Sequence, residues 1–199
     1  MGVHGFRRSL TGRVQLRADE VERSILLDLV GQLEEFVAPD DDWADADPLA
    51  QLVGIDPEAQ RPDDPALARL FPDAYRDDDD AAAEFRRFTE RSLRDTKLAH
   101  ARTVAGTLRR SGDKLVLTEA EAQSWLGTLN DLRLTLGSRL GVQEDNHDEF
   151  LALPEDHPLV ALYHVYDWLT YLQETLVHAL TGLDPGLDDE PDGTASGEG

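Results

Sequence analysis

Four groups of residues in this chain have the types and spacings that could do chemistry or binding. In the first, Arg86, Arg87, Arg91, Arg94 and Lys97 recur at helical intervals. Positions 87, 91 and 94 share one helix face, and 86, 90 and 94 share another. Such a row of guanidiniums could grip an acidic protein through bidentate pairs. Glu84, Glu90 and Asp95 are interleaved with it. The plain expectation is therefore a face that pairs with itself in solvent, followed by docking against an acidic part of the same chain. The second group is His164, Asp167, Tyr171, Glu174 and His178, spaced three and four apart like an acid–base or metal array. Its two histidines would stand about 21 Å apart along a helix at roughly 1.5 Å per residue, too far to share an ion. The stripe also lies opposite a leucine face, which predicts solvated surface.

The third group is Asn130, Asp131 and Arg133, with Gly137 one turn further on. An arginine on the flank of an apolar stripe is partly buried and needs a partner, and Asp167 and Glu174 are the acids expected to supply it. The first reading is a polar network that fixes helix register; a ligand or partner site is the second. The fourth group, Asn146, His147, Asp148 and Glu149, has residue types used in hydrolase and metal sites, but those types are also ordinary loop content. A metal-dependent or acid–base enzyme would draw on His147, Asp148, His164 and Asp167. No phosphate-binding glycine loop, His-Glu-x-x-His, Gly-x-Ser-x-Gly or zinc spacing occurs, so no catalytic residue, metal or cofactor is assigned.

Composition narrows the classes further. The chain has 199 residues, no cysteine and a formal charge of −22. Disulfides, thiolate metal sites and cysteine nucleophiles are excluded. A field of that sign disfavours nucleic acid and anionic membrane and favours solubility and basic partners. Direct DNA binding is therefore the least favoured class. No apolar run reaches the length of a membrane span, and the arginine-containing start lacks the apolar core of a signal peptide, so a cytoplasmic protein is expected. The charge is uneven. Residues 39–80 hold fourteen acids against three bases, and 81–114 hold nine bases against four acids.

The elements that would position these groups can be read from periodicity. Residues 3–9 and 13–17 predict a hairpin around Thr11-Gly12. Asp19 with Glu22 forms a capping pattern that opens a helix to about residue 37, with Val21, Ile25, Leu29 (or Leu26) and Leu33 facing inward. Residues 39–80 form an acidic, proline-broken excursion with room for short helical turns at 48–53 and 65–71. A long helix follows over 79–110, then a strand candidate at 114–117 that can pair with the hairpin. Thr118 and Glu121 make a capping box for a helix ending at Gly141, with Ala122, Trp125, Leu126, Leu129, Leu132, Leu136 and Leu140 as its core stripe. The last helix starts at His157-Pro158 and points Leu162, Tyr166, Leu169, Leu172, Leu176 and Leu180 inward. Its aromatic residues Tyr163, Tyr166, Trp168 and Tyr171 suggest a central helix or a homodimer interface. Residues 184–199 carry six acids and almost nothing to bury, which predicts a disordered tail. The whole predicts a mainly α domain over 1–183, a bundle of three to four long helices with a small N-terminal hairpin and a third short strand.

Four segments together carry a resemblance: DPALARLFPDAYRDD (64–78), EFRRFTERSLRDTK (84–97), WLGTLNDLRLTLGSRLGV (125–142) and YHVYDWLTYLQETLVHAL (163–180). They resemble an actinobacterial family of unknown function encoded near the gene for the ClpS adaptor. Some of its members are labelled transcriptional regulators (AosR-like), among them a thiol-based oxidative-stress regulator. The resemblance implies a non-enzymatic regulatory or interaction protein, linked to transcription or to the Clp pathway, with a protein partner. It supplies no catalytic residues to transfer. This chain departs from the thiol-based pattern because it has no cysteine.

Overall fold

A computed structural model describes residues 4–39, 56, 59–75, 77–143, 146, 148, 150 and 152–182. The protein is mainly α, with a small three-stranded antiparallel sheet. In chain order the elements are β1 (Phe6–Arg8), β2 (Val14–Arg17), α1 (Glu20–Val37), α2 (Pro65–Leu70), α3 (Asp79–Leu108), β3 (Lys114–Leu117), α4 (Glu119–Leu140) and α5 (Pro158–Thr181). The expected turn at 48–53 and the acidic tail at 184–199 lie outside the described residues.

Local signals set most of the boundaries. The hairpin turns at Gly12, whose φ of 80° lies where only glycine is unstrained. The third strand joins β2 as expected, with Val14 opposite Leu117 and Arg17 opposite Lys114, giving the order β1-β2-β3. Asp19 and Thr118 each complete a capping box, with Glu22 and Glu121 respectively. Gly141 and Gly182 close α4 and α5 in the left-handed conformation.

The inner sheet face presents Phe6, Val14, Leu16, Leu115 and Leu117 to the helices. Phe6 meets the Trp125 ring edge-on at 5.3 Å, and the Trp125 indole donates to the Thr107 hydroxyl at 2.9 Å. The Phe6 amide donates to Thr175 Oγ1 on α5, tying the edge strand to the bundle. The hub is α4, which touches α1, α2, α3, α5 and β3.

Two expected stripes are corrected. Helix α1 buries Leu26, Val30, Leu33 and Val37, while Val21 and Ile25 are exposed. Both sets have helical period because apolar residues crowd 25–30, so periodicity could not choose between adjacent faces; contact with α3 and α4 does. In α5, Leu162 is exposed and Tyr163 is buried in its place. Leu159, Tyr171 and Val177 are exposed as well, so α5 flanks the bundle and α4 is its centre. No helix of the described residues is long and apolar enough to cross a membrane.

Candidate functional site

Helix α3 runs for 30 residues, about 45 Å at 1.5 Å per residue. Its second half buries Leu98, Ala101, Val104, Ala105 and Leu108, whereas its first half buries only Ala82 and Arg86. The row of arginines sits on that lightly covered first half, and it does not form one surface. Arg86 is 6% exposed. Its Nη2 donates to the Phe71 carbonyl at 3.1 Å and to Asp73 Oδ1 at 2.6 Å, and its Nη1 donates to Glu90 Oε2 at 2.7 Å. Burial pulls the guanidinium pKa down, but hydrogen bonds and charge from Glu90 and Asp73 outweigh this and hold it above its ordinary value. Arg94 donates to Glu90 through Nε and Nη2 and to the Val37 carbonyl at the end of α1 through Nη1. It also lies 4.4 Å from the centre of the Phe71 ring. Arg86 and Arg94 therefore clamp the turn after α2 and the end of α1 onto α3. Arg91 is half-buried beside Asp95, and Arg87 is exposed.

The surface beside this clamp is apolar. Phe85, Phe88 and Leu93 of α3, with Tyr75 from the preceding turn, are between 39% and 54% exposed. Tyr75 and Phe85 meet edge to face at 6.1 Å. A cleft of about 320 Å³ runs beside Phe85 and Leu93, also lined by Phe71, Arg86, Thr89 and Thr96.

The third sequence group splits between two environments. Asp131 is buried and accepts a 2.7 Å hydrogen bond from Lys97 Nζ, joining α4 to α3. Burial pushes the Asp131 carboxyl above its ordinary value, and the Lys97 hydrogen bond and charge only partly offset this. Arg133 does not find the acids expected for it. Its Nε donates to Thr170 Oγ1 and its Nη1 to Gln173 Oε1, both at 2.9 Å, while Asp167 and Glu174 point to solvent. The difference is rotational, because α5 turns Thr170 and Gln173 rather than its acids toward α4. Asn130 is exposed beside Arg133.

The other groups are mostly surface. His164, Asp167, Tyr171 and Glu174 are exposed and His178 is half-buried. Asn146 closes the end of α4, donating to the Gly141 carbonyl and accepting from the Gln143 amide. Asp148 is exposed, and His147 and Glu149 lie outside the described residues. Burial raises the Tyr163 phenol pKa, with the charges of Asp167 and Asp148 adding to the effect. Among the described residues no three His, Asp or Glu side chains gather closely enough to hold a metal ion.

Sequence reasoning missed two sets. Arg23 donates to the carbonyls of Ala18, Leu108, Arg110 and Gly112, covering the exposed carbonyls at the end of α3. No local pattern announces a contact 85 residues away. The outer sheet face carries Arg7, Arg17 and Lys114, all exposed. Strand alternation could have found that one.

A family model described as "Domain of unknown function (DUF2017)" matches residues 3–180. Two curated relatives, from Mycobacterium bovis and Mycobacterium tuberculosis, are named "Oxidative stress regulator AosR". Each is 38% identical to this chain over 175 residues, an alignment that covers 81% of this chain and 79% of the relative. No solved structure matches.

Proposed function

The chain belongs to the DUF2017 family, and from that membership we propose that it is a regulator acting through protein contacts made by the outer face of α3. The observation that carries the proposal is the exposed apolar surface of Phe85, Phe88, Leu93 and Tyr75, of which Phe85 and Leu93 line a cleft of about 320 Å³. Interface centres are enriched in aromatic residues and arginine, and a few such residues supply most of the binding energy. Arg87 and Arg91 lie on another face of the same helix, outside the cleft lining, where their charge acts on association rate over a longer range. Arg86 and Arg94 have a different part: their clamp holds the Phe71 wall of the cleft in place.

The relatives' name points to oxidative stress, and we place this chain in the same kind of regulation. Its chemistry differs from a thiol switch, because a chain with no cysteine has no sulfenate or disulfide to form. Oxidant sensing then resides in the partner, and this chain supplies a fixed docking surface.

The test is affinity capture from an actinobacterial lysate with the wild type, with Phe88→Asp/Leu93→Asp and with Arg87→Glu/Arg91→Glu. Recovery of a transcription or Clp-pathway component that both variants lose supports the reading. A captured set that is unchanged in both variants removes α3 as the interaction surface.

A further inference from the structure

We infer that the notch between α2, α4 and α5 is a binding site for a single oxyanion, a carboxylate or a phosphate group, held by Arg133 and Arg69. This goes beyond the docking surface on α3 and does not depend on it.

The starting point is an imbalance of charge at Arg133. Of the buried or half-buried arginines among the described residues, Arg86, Arg91 and Arg94 face carboxylates. Arg23 faces carbonyl oxygens at the end of α3. Arg133 faces only neutral side chains, namely Thr170, Gln173 and the Tyr166 ring, whose centre is 5.7 Å from the guanidinium carbon. A guanidinium has five N–H donors, and two are used here. Three remain on a half-buried cation in a chain of net charge −22, where carboxylates are abundant.

The packing around Arg133 holds it in this state. Thr170 donates its own proton to the Tyr166 carbonyl at 2.9 Å, so its oxygen can only accept from Arg133. Gln173 presents its carbonyl oxygen in the same way. The guanidinium is thus oriented by two neutral acceptors that leave its charge uncompensated. Gly137 allows the Tyr166 ring to lie against α4, since a methyl group there would sit 3.2 Å from the ring.

The space in front of Arg133 is a cavity of about 100 Å³ that Arg69, Asn130, Ser138 and Tyr166 also line. Arg69 is exposed, sits in the last turn of α2 and has no ion pair among the described residues. Two guanidiniums lining one notch repel each other, and an oxyanion between them turns that repulsion into two attractions. The Ser138 hydroxyl adds a neutral donor at the same rim, and the Asn130 amide, one of whose protons goes to the Asp131 carboxylate, has a second to offer. At about 100 Å³, and open to solvent on one side, the notch has room for one carboxylate or phosphate group. It is well below the roughly 300 Å³ at which whole small-molecule pockets begin. The ligand is therefore a free oxyanion or the anionic end of a larger molecule whose body stays in solvent.

The test uses the full chain, uniformly labelled with nitrogen-15, titrated at pH 7 and constant ionic strength by exchanging chloride for the probe. The probes are inorganic phosphate and, separately, glutarate. The expected result is saturable shifts at the Arg133 Nε–H and at the amides of Asn130 and Gly137. Binding should weaken about ten-fold or more in Arg133→Gln and in Arg69→Gln, the loss expected for a charge-assisted hydrogen bond. The second variant is exposed and keeps the test decisive if the first disturbs the α4–α5 packing. Saturation by phosphate alone identifies a phosphoryl ligand and by glutarate alone a carboxylate; either supports the site. Shifts that never saturate, or affinities unchanged in both variants, overturn it.

Discussion

At the scale of single residues, the energetics concentrate in two buried charge clusters. The Asp131 carboxylate has Lys97 as its hydrogen-bonded cation, and it is buried. Lys97→Met leaves that charge uncompensated, and should cost about 3–5 kcal/mol at neutral pH in urea unfolding. The pH dependence has a definite sign. A raised carboxyl pKa means that the folded chain holds the proton more tightly than the unfolded one. The associated stability is complete below the ordinary value of 3.8 and is lost as pH rises through the raised value. Asp131→Asn removes this dependence, so the wild type should gain stability relative to the variant as pH falls from 7 to 4. A constant difference across that range would mean that Asp131 does not titrate as the packing requires. The Arg86 cluster was legible in part. The spacing of Arg86, Glu90 and Arg94 implies pairing along the helix, but nothing local says that Asp73 and the Phe71 carbonyl close over Arg86.

Among the elements, the sheet carries a built-in repulsion. Arg17 and Lys114 are directly opposite on β2 and β3, and like charges at cross-strand positions are destabilising. Lys114→Glu should therefore stabilise the protein by about 0.2–1 kcal/mol, read as a rise in the thermal midpoint. Helix starts respond in the other direction. Thr118→Ala removes a side chain that accepts from the Glu121 amide and should cost about 1 kcal/mol. Helix α5 shows where element reading runs out. Its apolar residues cover so much of its circumference that inside and outside cannot be told apart until α4 claims one face. The exposed Leu159 and Leu162 that result are where we place self-association, and light scattering showing only monomer at micromolar concentration would end that proposal.

For the molecule as a whole, net charge and composition set the behaviour. At −22 the folded state carries considerable self-repulsion. Raising salt from about 10 mM to about 500 mM shortens the screening length from about 30 Å to less than 8 Å. The thermal midpoint should rise over that range, whereas a fall would mean that the ion pairs on α3 outweigh the repulsion. Hydrogen peroxide should leave the capture of partners by this chain unchanged when only this chain is treated, because the chain lacks cysteine.

The sequence by itself determined the mainly helical class, the hairpin with its third strand, both capping boxes and the exclusion of thiol chemistry. These depend on near neighbours, such as a cap and its amide three residues on, or on composition alone. Only the tertiary structure decided which face of α1 and α5 is buried, where Arg86 and Arg133 find partners, and that Arg69 joins Arg133 at one notch. Those outcomes join residues tens of positions apart. Helical period limits a side chain to a face, but the rotation of the neighbouring helix decides what that face meets.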